Sequence, residues 1–357
     1  MYITLSPCET CAKLIAQSGI KKVVYLEEYK RNDGINFLRK CGVTCYKHEE
    51  SVKMFEVEDI VQYPSARKEN KDKTALIDAD TVVFGACSVH EQIEELLPQD
   101  MYTQEEWEDI INNRDYDADN HQLYTIHVDS AVEHSIEHIE KIIAMTGCKD
   151  AELYFTSGLH FRYIVDPDYK ANRGGMHRPP GLNEVKAKVL EHYSGKICTK
   201  WEADDEVVYL KKQHPDRYVL CAVDKDVIKS VPGEHWNYYQ SSQYNIQPKW
   251  VENTEQEAMR YNYLQAIMGD TNDGIKGVPG IGKVGAAKFV PEDATEHEMW
   301  LGVVKAFESK GLSIIDAMIT MQLVSMHQLI EVDGEPYLHL FNPQMFEEEI
   351  EYELHEV

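Results

Sequence analysis

The sequence predicts an α/β protein with a mostly parallel central sheet and flanking helices. Two observations lead there. Short apolar strands alternate with amphipathic helices through most of the chain, the order that βαβ crossovers turn into parallel sheets. Two of those strands, TALIDAD (74–80) and RYVLCAVD (217–224), run straight into acids. In open α/β sheets, strand carboxyl ends of this kind face a site. Beyond Thr254 the pattern becomes helical, which adds an all-α region. A length of 357 residues exceeds one ordinary core. Five segments are expected: a small βαβαβ fragment at 1–50, a linker at 51–73, an α/β domain at 74–253, a helical region at 254–330, and an acidic tail at 331–357.

The elements follow in order. YITL (2–5) reads as a strand, CETCAKLIAQSG (8–19) as a helix ending at Gly19, and KKVVYLEEY (21–29) as a second strand. INFLRKCG (35–42) is a second helix and VTCYKH (43–48) a third strand. DIVQYPSARKENKDK (59–73) is polar and carries a proline, as linkers do. SAVEHSIEHIEKIIAMTGC (130–148) has strong helical periodicity, with a cap near Asp129 or Ser130 and a stop at Gly147. AELYFTSG (151–158) is a buried strand.

Composition narrows the class. No run of about 20 apolar residues and no basic-then-apolar leader occurs, so neither a membrane partner nor secretion is expected, and a cytoplasmic setting is. Eight scattered cysteines suit reduced thiols. The net charge of −26 argues against a nucleic-acid partner as a whole. Between His160 and Lys200, however, Arg162, Lys170, Arg173, Arg178, Lys186, Lys188, Lys196 and Lys200 face only Asp166, Asp168, Glu184 and Glu191.

The chemistry resides in four acidic clusters: Asp78 with Asp80, Asp224 with Asp226, Glu202 with Asp204 and Asp205, and Asp270 with Asp273. A spacing of two shares one side of a strand, and a spacing of three shares a helix face. Singly, such acids are usually solvated loop residues or helix caps. Gathered on one sheet edge, they repel one another and need hard cations, Mg²⁺ or Mn²⁺. Two such ions about 4 Å apart are suited to phosphodiester hydrolysis. Lys170 and Arg173, three apart on a presumed helical face, can grip a phosphate oxygen. In GVPGIGK, Gly277, Gly280 and Gly282 with Lys283 form a turn that can hold a phosphate backbone. The turn lacks Walker-A spacing.

ALIDAD, YKANR, EADD, VDKDV and GDTNDGIKGVPGIGKVGA resemble, in order and spacing, the 5′ nucleases: flap endonucleases, the 5′ nuclease domain of bacterial DNA polymerase I, and phage 5′→3′ exonucleases, the phage type most of all. The resemblance covers Thr74 to Ile330. It implies two divalent ions, Mg²⁺ or Mn²⁺, over the sheet, a helical gateway above them, and a helix–three-turn–helix gripping duplex DNA. Carried over, Asp78, Asp80, Glu202, Asp204, Asp205, Asp224, Asp226, Asp270 and Asp273 hold metal. Lys170 and Arg173 contact the scissile phosphate. Arg162, Arg178 and the Gly277–Lys283 turn hold DNA, the turn with a K⁺ ion. The implied activity is 5′→3′ hydrolysis of DNA, or of RNA in RNA–DNA hybrids, at a 5′ end or flap, by a monomer in a bacterial cytosol. Two departures stand out. Ser157 occupies a position where many members carry an acid, so that either the first metal loses a ligand or Asp80 substitutes. The segment 174–200, expected to form the gateway, is short, which suits duplex ends better than threading of a flap. A non-catalytic structure-specific DNA-binding protein is the alternative.

YITLSPCETCAKLIAQSGIKKVVYLEEY resembles the second half of a deoxycytidylate deaminase. There P-C-x-x-C, here Cys8 and Cys11, supplies two zinc ligands, and an earlier H-x-E supplies the third and the catalytic acid. No H-x-E precedes Cys8, so a vestigial site without zinc or deaminase activity is expected; a deaminase would need an upstream segment. Elsewhere, His127, His134 and His138 are expected at the surface. Cys41 and Cys45 are expected as small core residues, and Trp107 as a packing anchor.

Overall fold

The computed structural model describes residues 2–18, 20–27, 33–47, 70–113, 115–174, 177–241 and 244–346. The chain divides into two compact units, Met1–Pro64 and Ser65–Val357.

In the first unit, β1 (Tyr2–Leu5), α1 (Glu9–Gln17), β2 (Lys22–Glu27), α2 (Asp33–Lys40) and β3 (Thr44–Lys47) follow in order. The strands form a parallel sheet in the order β1-β2-β3. Ala12, Ile15, Val23, Tyr25, Ile35 and Leu38 make a small core. Cys45 joins that core, whereas Cys41 at the end of α2 is exposed, against expectation. The helix has closed before that position, so nothing packs over the sulfur.

The second unit begins with β4 (Asn70–Asp78), so the strand starts four residues earlier than its apolar core suggests; the expected linker otherwise lies outside the described residues. Then come α3 (Asp80–His90), β5 (Glu91–Glu95), α4 (Gln104–Asn112), β6 (Tyr116–Asp117), β7 (Gln122–Ile126), α5 (Val128–Thr146), β8 (Cys148–Thr156) and α6 (Phe161–Val165). These are followed by α7 (Leu182–Val189), β9 (Ser194–Cys198), α8 (Ala203–Gln213), β10 (Tyr218–Ala222), α9 (Lys225–Lys229), β11 (Gly233–Asn237) and β12 (Lys249–Asn253). The helical region holds α10 (Glu255–Met268), β13 (Gly269–Asp270), β14 (Ile275–Lys276), α11 (Lys283–Phe289), α12 (Glu296–Glu308) and α13 (Ile314–Val324), before the hairpin β15 (Leu329–Val332) and β16 (Glu335–Leu338).

The central sheet has six strands in the order β12-β11-β10-β4-β8-β9, all parallel except the edge strand β12. Ala75–Asp78 of β4 and all of β10 are buried, because helices cover both faces of a parallel sheet. β4 lies at the centre, with chain crossing away on both sides, which makes its carboxyl end the switch point where sites form. α5 starts at Val128 without a side-chain cap and closes at Gly147, whose left-handed backbone returns its N–H to the Ile143 carbonyl at 2.9 Å. Capping boxes at Thr254, Thr295 and Ser313 start α10, α12 and α13, and their apolar faces meet around Met299, Trp300, Val303, Phe307 and Met321.

Three expectations change. The segment 174–200 is not a gateway over the sheet: its described part forms α7 and the edge strand β9. Val185 and Val189 bury α7 against the fold, so the apolar pattern pulls this stretch inward. The tail is not simply solvated, because 329–338 pair as a hairpin and Phe341 and Phe346 enter the helical core; residues 347–357 lie outside the described ones. His138 is half-buried against Tyr238, and burial lowers its pKa to about 4. Trp107 does anchor a cluster, packing with Tyr102, Tyr116 and His121 over the antiparallel sheet β5-β7-β6.

Candidate active site

Each acidic cluster reaches the same sheet edge by a local rule. Asp78 is the last residue of β4, and Asp224 caps α9 just beyond the adjacent strand β10. Asp204 sits in the first turn of α8. Asp270 ends β13, where its Oδ1 accepts the Asn272 N–H at 2.7 Å. The carboxyls of Asp78 and Asp204 lie close enough to perturb one another. Burial, then Asp80 and Asp224, push Asp78 up to about 7. Burial, then Asp78 and Asp224, raise Asp204 well above its usual range. Asp224 is an exposed residue, yet desolvation of its carboxyl raises its pKa, with Asp273 and Asp270 adding to the rise. Burial also brings Asp226 to about 7, with the nearby Asp224 and Asp270 raising it further. The clusters therefore converge.

The structure separates these acids into two kinds. Asp80, Glu202, Asp205, Asp226 and Asp273 have protein partners. Arg162 grips Asp205 at 2.6 and 2.7 Å and Glu202 at 3.1 Å. Lys170 Nζ lies 2.5 Å from Glu202 and 3.5 Å from Asp273, and Arg173 pairs with Asp273. Lys186 holds Asp80 at 2.6 Å. Tyr261 donates to Asp226, as does Gln265 at 2.8 Å. Among the described residues, no ion pair within 4.0 Å reaches Asp78, Asp204, Asp224 or Asp270. Four acids without a protein cation within that distance, three of them with raised pKa values, fit hard divalent ions. No three His, Cys, Asp or Glu side chains of the described residues are already arranged around one point.

Several sequence-derived assignments are corrected. Arg162 is fully buried and also donates to the Leu323 and Ser325 carbonyls, so it cannot touch DNA. Asp205 is equally buried with both oxygens on Arg162, which removes it as a metal ligand. Glu202 is crowded by His160, Arg162, Tyr169 and Lys170; burial would raise its pKa, but these donors pull it well below the carboxylate range. Lys170 and Arg173 do not share a helix face. Lys170 has left-handed backbone (φ 57) before a single 3₁₀ turn, and the two side chains converge on Asp273. The Lys170 N–H donates to the Asp273 carbonyl at 2.9 Å, and Asn172 Nδ2 donates to Thr271 O at 2.8 Å, which locks the basic turn to the 270–273 loop. Burial would lower the Lys170 pKa, but Glu202 and Asp273 raise it, so it stays charged.

Arg178, Gly280, Gly282 and Lys283 are exposed. Gly277 is required for a close approach: a Cβ there would lie 2.2 Å from the Met268 carbonyl carbon, at the open end of the antiparallel pair β13–β14. Sequence reasoning missed Tyr169, whose hydroxyl stands 2.9 Å from both Glu202 and Asp273, and His160 beside Glu202. It counted Lys186 only as part of a basic run. The one local signal for it was its place between the buried Val185 and Val189 on α7. In the first unit Cys8 stands at the start of α1 without a side-chain capping bond, and both Cys8 and Cys11 are exposed thiols.

Comparisons with known proteins divide the chain the same way. The MafB19-like deaminase family model matches residues 1–61. The deoxycytidylate deaminase of Enterobacteria phage T2 is 54% identical over 48 residues, 13% of this chain and 26% of that protein. The chain thus spans about a quarter of the length of the deaminases it matches. The exonuclease of Escherichia phage T7 is 27% identical over 271 residues, 72% of this chain and 79% of that protein. Flap endonuclease Xni of Shewanella pealeana is 26% identical over 139 residues, 37% of this chain and 54% of that protein. Over residues 74–330 this chain resembles the 5′ nucleases of the phage exonuclease type, and over residues 1–50 the C-terminal half of a deoxycytidylate deaminase.

Proposed function

We propose that the second unit is a divalent-metal-dependent 5′→3′ nuclease that hydrolyses DNA phosphodiesters at a duplex 5′ end or flap, with the RNA strand of a hybrid as a further substrate. The observation that carries this reading is the convergence of Asp78, Asp204, Asp224 and Asp270 on one sheet edge without a protein cation, beside the charged Lys170 and Arg173. Those four acids would hold two ions, Mg²⁺ or Mn²⁺, with Asp226 and Asp273 adjoining. When bound, the ions supply Lewis acidity toward the phosphate and its attacking water. The protein's own groups do the rest. Lys170, fixed by Glu202 and the 270–273 loop, places a permanent cation where phosphate charge builds up. Arg173 adds two-pronged donors at the rim. The exposed Gly280–Lys283 turn offers N–H groups and an ammonium to the duplex backbone, a grip that reads no base. The use of residues 182–198 in the sheet and its covering helix supports open access for duplex ends. The products are a 5′-phosphate and a 3′-hydroxyl.

The test is Asp204→Asn, assayed on a 5′-labelled duplex with Mg²⁺. Release of label is expected to stop while duplex binding persists. Cleavage at the wild-type rate by the purified variant would end the reading.

A further inference from the structure

Lys186 has no part in the mechanism above, yet it is among the few lysines the fold buries, with 8% of its surface exposed. Its ammonium lies 2.6 Å from Asp80 Oδ1 and donates to the Thr156 carbonyl at 2.8 Å. Asp80 Oδ2 in turn accepts the Thr156 N–H at 2.9 Å. Lysine and aspartate therefore close around the carboxyl end of β8, one strand from Asp78. Asp80 stands in the first turn of α3, two residues beyond Asp78, and its charge is felt there. The buried face of α7 holds Lys186 in place through Val185 and Val189, so this cation cannot wander to the other acids.

We propose that Lys186 is a built-in counter-cation that withholds Asp80 from the acidic cluster and thereby limits the affinity and number of divalent ions it takes. The inference rests on the nuclease reading of the cluster. It makes Lys186 a positioning residue, acting through Asp80 and never touching the phosphate. A protein ammonium is permanent, whereas a divalent ion comes and goes with concentration. The Asp80 charge is therefore offset in part at all metal concentrations, although it is still felt at Asp78, and the ions are drawn to the Asp78–Asp204–Asp224–Asp270 side.

The test is Mn²⁺ binding to the whole chain, followed by calorimetry and by the electron paramagnetic resonance of free Mn²⁺, without substrate. Lys186→Met frees Asp80, so the variant should bind Mn²⁺ at least about tenfold more tightly, or take one more ion, than the wild type. Lys186→Met with Asp80→Asn should return to the wild-type isotherm, and Lys186→Arg should keep it. A Lys186→Met isotherm equal to the wild type overturns the proposal. So does tighter binding that persists in the double variant. If Lys186→Met does not fold, Asp80→Asn alone decides: it leaves the ammonium uncompensated and should weaken Mn²⁺ binding, and an unchanged isotherm again overturns the proposal. Absence of Mn²⁺ binding in wild type and variants alike defeats the nuclease reading itself, and the proposal with it.

Discussion

Removing a carboxylate from the site should stabilise the metal-free protein. Asp78 is 5% exposed, lies beside Asp204, and has its pKa raised from 3.8 to about 7 by burial and by Asp80 and Asp224. An acid whose folded pKa is raised binds its proton more tightly in the native state. Its contribution is intact below pH 3.8 and is lost as pH rises through 7. At pH 8 the rise corresponds to about 4 kcal/mol at about 1.4 kcal/mol per pH unit, and sharing of the proton with Asp204 reduces this to about 2–4 kcal/mol. Asp78→Asn keeps the shape, can donate to Asp204, and carries no charge. Urea unfolding in EDTA at pH 8, followed by circular dichroism, should therefore show the variant more stable by about 2–4 kcal/mol. At pH 5.5 the advantage should fall by about half, because the native Asp78 is then already protonated. Excess Mn²⁺ should reverse the order, since ligand binding to the native wild type adds stability that the variant cannot match. A variant less stable than wild type in EDTA at pH 8 would refute the claim that these acids repel one another in a shared pocket.

Three further outcomes are expected. Arg162→Met leaves Asp205 buried without its partner and should cost about 3–5 kcal/mol in urea unfolding; a loss under about 1 kcal/mol would mean the pair is not buried as described. Lys170→Ala should slow turnover about 100-fold while duplex affinity changes less than about threefold, measured by single-turnover kinetics and filter binding; the opposite split would make Lys170 a binding residue only. Gly277→Ala pushes a methyl into Met268 and should destabilise the fold by about 1–3 kcal/mol while weakening duplex binding. Unchanged thermal unfolding and duplex affinity would show that this turn tolerates a side chain.

The alternation of apolar strands and amphipathic helices, the buried runs at 75–78 and 218–222, the stop at Gly147 and the acid pairs were all legible in the residues. Each depends on neighbours within a few positions: side-chain period, backbone freedom, and what can follow a strand. That Asp78 and Asp224 end neighbouring strands on one edge was legible too, because parallel strands end together. Which of those acids keep a free charge was decided only in three dimensions. Arg162 lies 43 residues from Asp205 and 161 from the Leu323 carbonyl, and Asp80 lies about a hundred residues from Lys186. Ion pairing depends on distances through space and on what excludes water, and neither leaves a mark in local spacing. The run of bases at 160–200 therefore read as one surface in sequence. The fold turned it into a buried clamp on Asp205, a pair of cations on Asp273, and a lysine set against Asp80.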